Sequence, residues 1–177
     1  LGESGKQLGT VPTVARELLR TINDARKDPA YSSIFHAPRS ILNQKITGSR
    51  RFAAQSYCLR RIKGVCKAYG TTVNDVVMAM CATALRSYLM NQDALPEKAL
   101  IAMVPVSLRK DDSSGGNQVG VILASLHTDV TSPVTRLMQI HEDVKAAKDR
   151  YADMSAEEII NYTALTLAPA AFNLLTG

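Results

Sequence analysis

The chain has 177 residues, of which 46% are hydrophobic, and this proportion excludes a disordered or fibrous protein. Its net charge of +5 is mildly basic, but the 5% of aromatic residues do not alternate with basic ones, which argues against nucleic-acid binding. No apolar run reaches the roughly 18 residues of a membrane-spanning helix. Cys58, Cys66 and Cys81 match no zinc or redox spacing, so we expect reduced thiols, a cytoplasmic protein and Cys81 in the core.

The first part of the chain predicts a helix, a long loop, a strand and a short helix. Residues 12–27 carry apolar side chains at helical spacing, whereas 29–49 lack periodicity and predict a loop. Partial alternation over residues 50–60 predicts a strand. The residues that follow predict a helix that ends at Gly70, in the left-handed conformation typical of a C-terminal cap.

The stretch TTVNDVVMAMCATALRSYLMNQ (71–92) predicts a well-capped helix. Thr72 is a good N-cap, and Asp75 three residues later approximates a capping box and places a negative charge at the positive end of the helix dipole. An Asn–Asp pair at this point suits plain capping or hydrogen-bonding support of a functional site, and the residues alone leave both open. The predicted apolar face contains Val76, Val77, Met80, Ala84, Leu85, Tyr88 and Leu89.

The second half predicts, in order, two strands and two helices: 99–110, 118–130, 132–151 and 155–177. Ser132 is expected to be the N-cap of the first of these helices, and a capping box from Ser155 to Glu158 begins the second. Helices and strands alternate along the whole chain, which is typical of a mixed α/β layer fold.

No residue pattern in the sequence defines a complete catalytic site. His36, His127 and His141 lack the i, i+4 spacing of a zinc site, and no phosphate loop, dinucleotide fingerprint or nucleophile elbow is present. We therefore expect each histidine to have a surface or packing role. Acyl or proton transfer would need a general base with a positioned partner, and the residues do not reveal one.

Four sequence blocks nevertheless resemble, in order and spacing, the bacterial wax ester synthase/acyl-CoA:diacylglycerol acyltransferase family: PRSILNQKITGSRRFA (38–53), TVNDVVMAMCATALRSYL (72–89), VPVSLR (104–109) and GNQVGVILASLHTD (116–129). The resemblance implies a chloramphenicol-acetyltransferase-like α/β architecture of two related halves. It divides this chain into a linker helix with a crossover loop (1–48) and most of the second acyltransferase half (49–177), with a mixed sheet and flanking helices.

The resemblance implies direct transfer of a long-chain acyl group from acyl-CoA to a fatty alcohol or diacylglycerol. The family's catalytic histidine belongs to an H-H-x-x-x-D-G motif that this sequence lacks. We therefore expect a middle-to-C-terminal part that is inactive alone and whose partner is the N-terminal half of the same enzyme. The resemblance also implies no cofactor besides the substrate acyl-CoA, no metal, and a cytoplasmic location peripheral to a membrane or lipid droplets.

The resemblance implies roles for four pairs of residues: active-site support by Asn74 and Asp75, tunnel-side positions at Ser107 and Arg109, a turn near the site at Gly116 and Asn117, and contact with the CoA phosphates at Arg50 and Arg51. Helix capping and solvated flanking charges are the plainer alternatives. Two other functions stay open: a condensation-domain-like acyltransferase of different substrate, and a non-catalytic module that binds acyl-CoA or lipid.

Overall fold

The structure is a computed structural model that describes residues 37–107, 119–152, 154–155 and 157–164. Its elements are the 3₁₀ turn Ile41–Asn43, helix α1 (Leu59–Tyr69), helix α2 (Val73–Asn91), strand β1 (Ile101–Ser107), strand β2 (Val119–Ser125) and helix α3 (Pro133–Tyr151). Residues 157–164 are also helical. The mixture of helix and sheet is the one predicted, while the expected helix over 12–27 lies outside the described residues.

The described residues fall into two compact units. We call residues 37–100 and 125–142 the helical unit, because it contains α1, α2 and the first half of α3. Residues 101–107, 119–124 and the described residues from 143 onward form the sheet unit.

In the helical unit, a tight turn connects α1 to α2, and the two helices contact each other. Gly70 ends α1 in the predicted left-handed conformation, with φ of 68°. This backbone conformation costs glycine little, because glycine has no Cβ to meet the neighbouring carbonyl. The N–H of Thr71 then donates to the carbonyl of Cys66 at 3.0 Å, so the chain is already turned when α2 begins.

Helix α2 buries one face, and that face was only partly predicted. Val76 and Leu89 are buried as expected, but Val77 and Tyr88 are 43% and 50% exposed. Cys81 is also exposed, so the expectation that it lies in the core was wrong. The helix itself carries apolar side chains on most of its sides. A helical period cannot select the buried face when nearly every position is apolar.

The strand predicted over residues 50–60 is not formed. Residues 51–58 have no regular structure, α1 begins at Leu59, and Phe52 is 94% exposed. An alternating sequence becomes a strand only where a neighbouring strand accepts its backbone hydrogen bonds, and the described part of the chain places no strand beside this segment.

The two predicted strands of the sheet unit are both present and pair with each other. They are shorter than expected, since β1 begins at Ile101 and β2 ends at Ser125. The chain turns just after β2, where His127 has φ of 45°, a conformation that cannot continue a strand. The predicted continuation of this strand to residue 130 is therefore wrong.

Both later helices begin with the predicted caps. The Ser132 hydroxyl accepts a hydrogen bond from the N–H of Thr135 at 3.3 Å, at the start of α3. Ser155 and Glu158 form the reciprocal capping box, with distances of 2.8 and 3.2 Å. The helix that follows this capping box contributes Ile159 and Tyr162 to the core of the sheet unit.

Candidate functional site

The N-terminus of α2 is built by a capping box between Thr72 and Asp75. The N–H of Thr72 donates to Oδ2 of Asp75 at 2.8 Å, and the N–H of Asp75 donates to the Thr72 hydroxyl oxygen at 3.3 Å. The predicted capping role is thus confirmed. These bonds satisfy two of the donors that the start of a helix otherwise leaves unpaired.

Asp75 has a second partner that local sequence does not reveal. Nδ1 of His141, on α3, lies 2.8 Å from Oδ2 of Asp75, although the two residues are 66 positions apart. Since an ionised carboxylate only accepts hydrogen bonds, Nδ1 of His141 carries the proton. The side chain of His141 is 24% exposed and that of Asp75 is 1% exposed, so the pair reaches from the interior to the surface.

The environment of Asp75 holds its carboxyl group in the charged form. Burial alone would raise the pKa of Asp75. The hydrogen bonds from Thr72 and His141, together with the charge of His141, outweigh burial, so the pKa lies below its ordinary value. Oδ1 of the same carboxylate is buried and has no hydrogen-bond partner among the described residues. A carboxylate kept ionised in this way is an acceptor and a poor general acid.

Asn74 differs from Asp75 although the two were predicted to act together. Asn74 is exposed, and Nδ2 of its amide lies 3.5 Å from Sδ of Met78, one turn further along α2. The buried carboxylate therefore anchors the first turn of the helix, while the adjacent amide faces outward from the same turn.

A second polar cluster joins side chains of α2 and of the first turn of α3 to the loop that precedes α3. Arg136 is 2% exposed, and its guanidinium donates to the carbonyl of Val130 at 2.7 Å and to the hydroxyl of Thr83 at 2.6 Å. Arg86 of α2 donates to the carbonyl of Thr128 in the same loop. Burial, and then the charge of Arg86, lower the pKa of Arg136. No local sequence pattern indicates this cluster, which connects α2 to the start of α3.

Of the other predicted site residues, the structure describes Arg50, Arg51 and Ser107. Arg50 and Arg51 lie in the exposed segment before α1, where Nη1 of Arg50 donates to the carbonyl of Ser49 at 2.9 Å. Ser107 is the last residue of β1, in the sheet unit. The predictions for Arg109, Gly116 and Asn117 lie outside the described residues.

Of the three histidines, His36 lies outside the described residues and His127 occupies the turn after β2. The plain surface or packing role expected for His141 does not account for its bond to Asp75, which no local signal could have revealed. Within the described residues, no three His, Cys, Asp or Glu side chains are placed to hold a metal ion. Among the helices described here, none combines the length and apolarity needed to cross a membrane.

Comparison with known proteins places this chain in an enzyme class. Residues 2–77 match the wax ester synthase/diacylglycerol acyltransferase catalytic domain, and residues 115–177 match the C-terminal domain of the same enzymes. The O-acyltransferase WSD of Acinetobacter baylyi is 46% identical over 172 residues, which cover 97% of this chain and 38% of that protein. A putative diacylglycerol O-acyltransferase of Mycobacterium tuberculosis is 44% identical over 178 residues, covering all of this chain and 40% of that protein.

A solved structure agrees with the sequence matches. The wax ester synthase/diacylglycerol acyltransferase from Marinobacter aquaeolei VT8 superposes with a TM-score of 0.71 and 66% sequence identity, over 94% of this chain and 35% of that one. The chain belongs to the wax ester synthase/diacylglycerol acyltransferase family. It spans about two fifths of the length of the curated relatives it matches.

Proposed function

We propose that this chain is part of an O-acyltransferase that transfers a long-chain acyl group from acyl-CoA to a fatty alcohol or diacylglycerol. One observation carries the proposal: two family domains, the catalytic and the C-terminal one, match in tandem over residues 2–77 and 115–177. The names of the relatives, which are O-acyltransferases from two bacterial genera, support the same reaction.

In this reaction the acceptor hydroxyl attacks the thioester carbonyl, a new ester bond forms, and the bond to the CoA sulfur breaks. A general base removes the hydroxyl proton, and the departing thiolate takes up a proton. This sequence has no H-H-x-x-x-D-G motif, so the proposal places the base in an N-terminal half of the same enzyme. The complete enzyme would have two halves of chloramphenicol-acetyltransferase-like architecture, and this chain alone would be inactive.

The structure suits a supporting role for the start of α2. Asp75 is buried, ionised and held by two donors, which are properties of a residue that fixes geometry rather than one that exchanges protons. We propose Asn74, which is exposed in the same turn, as the residue that contacts substrate or the other half. Ser107 and Arg109 on the tunnel side, and Gly116 and Asn117 at a turn near the site, remain proposals.

The charge distribution of residues 37–70 suits anionic ligands. This segment contains no Asp or Glu, and its basic residues are Arg39, Lys45, Arg50, Arg51, Arg60, Arg61, Lys63 and Lys67. Phe52 and Leu59, which are 94% and 52% exposed, lie among them. The combination supports contact of Arg50 and Arg51 with the CoA phosphates, and attachment of a cytoplasmic protein to the surface of a membrane or lipid droplet. The substrate acyl-CoA supplies the acyl group, and no other cofactor is proposed.

The missing H-H-x-x-x-D-G motif also favours a second candidate, a non-catalytic module that binds acyl-CoA or lipid. The two candidates differ in whether a catalytic half exists to act with this chain. An acyltransferase of the condensation-domain class is the third candidate, but the family matches do not support it.

The test is acyl transfer from a long-chain acyl-CoA to a fatty alcohol and to diacylglycerol. This chain is assayed alone and together with a preceding half that carries H-H-x-x-x-D-G. We expect ester product only from the combination. Acyl-CoA binding without product in either assay would support the binding module, and product from this chain alone would overturn the assignment of the base to the other half.

A further inference from the structure

The bond between His141 and Asp75 connects the first turn of α2 to a distant helix. The capping box holds Asp75 to its own helix through Thr72, which is only three residues away. His141, by contrast, lies on α3 beside Ile140, which is 0% exposed, so its backbone is fixed within the core of the helical unit. The 2.8 Å contact to His141 therefore sets where the start of α2 lies relative to α3.

The carboxylate depends on few donors. Oδ2 accepts from the N–H of Thr72 and from Nδ1 of His141, each at 2.8 Å. Oδ1 is buried with no partner in the described part of the chain. An ionised group 1% exposed to solvent is stable only while its donors remain, so removing His141 leaves a buried charge with the local cap alone.

Asn74 takes its position from the same turn. Because Asn74 precedes Asp75 in the helix and is exposed, a shift of the buried carboxylate moves the outward-facing amide with it. Displacements of about 1 Å in a supporting group can lower the rate of an enzymatic reaction by roughly 100-fold.

We propose that His141 is a positioning residue of the acyltransferase, donating its Nδ1–H to Asp75 and thereby fixing the first turn of α2 and Asn74. The inference rests on the proposed function, since it concerns the geometry of that reaction. It assigns the effect to Nδ1, whereas a proton-transfer role would require Nε2, the ring nitrogen that Asp75 does not contact.

Conservative substitutions distinguish the two nitrogens. The amide nitrogen of asparagine can occupy the place of Nδ1, and that of glutamine the place of Nε2. In the complete enzyme, His141→Ala should lower kcat/KM about 10- to 100-fold, mainly through kcat, because positioning and not acyl-CoA binding is lost. His141→Asn should stay within about threefold of the wild type, while His141→Gln should resemble His141→Ala.

A double-mutant cycle tests the pathway through Asp75. If His141 acts through the carboxylate, adding His141→Ala to Asp75→Ala should cost less than about twofold, since Asp75→Ala already removes the acceptor of the Nδ1–H. Glu142→Ala, at an exposed position next to His141, is the control and should be unaffected. The thermal midpoint of every variant is measured, so that loss of folding is separated from loss of rate.

Several outcomes would overturn the inference. Wild-type rates in His141→Ala, or equal losses in the Asn, Gln and Ala variants, would remove Nδ1 from the explanation. If His141→Ala does not fold, a His141→Asn enzyme that folds but has lost activity would contradict it equally. No product from the wild-type enzyme would instead overturn the proposed function on which the inference rests.

Discussion

Two side chains with formal charge, Asp75 and Arg136, are almost fully buried in the helical unit, whereas the buried side chains described in the sheet unit are aliphatic or aromatic. In the helical unit, hydrogen bonds compensate the buried charges. His141 donates to the carboxylate of Asp75, and the guanidinium of Arg136 donates to the carbonyl of Val130. In the sheet unit, the buried side chains of Ile159 and Tyr162 belong to one apolar cluster. Burying a charge costs free energy that apolar packing does not, so the two buried charges of the helical unit require the hydrogen-bond partners that surround them.

The largest loss of stability is expected from a substitution in the sheet unit. Tyr162 is 4% exposed and packs edge-on against Tyr151, with ring centroids 6.0 Å apart. Tyr162→Ala should lower the free energy of unfolding by about 3–5 kcal/mol, because it leaves a cavity in an apolar cluster. Urea titration measures the change, with Ile160→Ala, at a 50% exposed position, as the control. A loss below about 1 kcal/mol would contradict packing as the source of stability.

A smaller loss is expected from the buried cation of the helical unit. Arg136→Met keeps most of the apolar stem but removes the donors to Val130, Thr131 and Thr83. The free energy of unfolding should fall by about 2–3 kcal/mol, since these partly buried oxygens lose a charged donor. Lys145→Met, at an exposed position of α3, is the matched control in the same titration. Equal free energies of unfolding for the two variants would mean that the hydrogen bonds of Arg136 do not contribute to stability.

The dependence of stability on acid pH should trace to a residue of the helical unit and not to the apolar cluster of the sheet unit. The pKa of Asp75 is lowered in the folded state, so its stabilisation is complete above the ordinary carboxyl value, about pH 4, and is lost as the pH falls through the folded value. Asp75→Asn should cost about 1–2 kcal/mol at pH 7 and flatten the stability curve in acid.

Unfolding midpoints from pH 7 to pH 2 test this expectation. Asp149→Asn, at an exposed position of α3, serves as the control, and Tyr162→Ala should keep the acid dependence of the wild type. An unchanged acid slope in Asp75→Asn would show that the pair with His141 does not contribute to stability.

The smallest effect is expected from one of the polar contacts of the sheet unit. The hydroxyl of Tyr151 donates to the carbonyl of Val121 at 2.6 Å. Tyr151→Phe keeps the ring and removes this bond, so it should lower the free energy of unfolding by about 1 kcal/mol. Tyr88→Phe, at a 50% exposed position, should change it by less than about 0.5 kcal/mol. A loss as large as that of Tyr162→Ala would mean that this unit also depends on a polar contact.

Local features were predicted from the sequence because their causes lie within a few residues. The capping boxes at Thr72 and Ser155 and the left-handed Gly70 each depend on neighbours at most five positions away. The strand over 50–60 failed for the opposite reason: alternation states a preference, but a partner strand must be present to fulfil it.

The candidate site could be predicted only in part. Family motifs indicated Asn74 and Asp75, but nothing in the sequence links Asp75 to His141, because their contact depends on how two helices pack. The same holds for the bond from Arg136 to Thr83, which lies 53 positions away, whereas the carbonyl of Val130 is only six positions from Arg136. A charged residue can be buried when the tertiary structure brings hydrogen-bond donors or acceptors to it, and the sequence around that residue does not show whether this happens.

The separation of Asp75 and His141 along the chain also sets an order of events during synthesis. At about 5–20 residues per second, the ribosome takes roughly 3–13 s to add the residues between them. During that interval the capping box with Thr72 is the only described contact available to the carboxylate, since His141 has not yet been made. The first turn of α2 can thus form early, and its anchoring to α3 comes later.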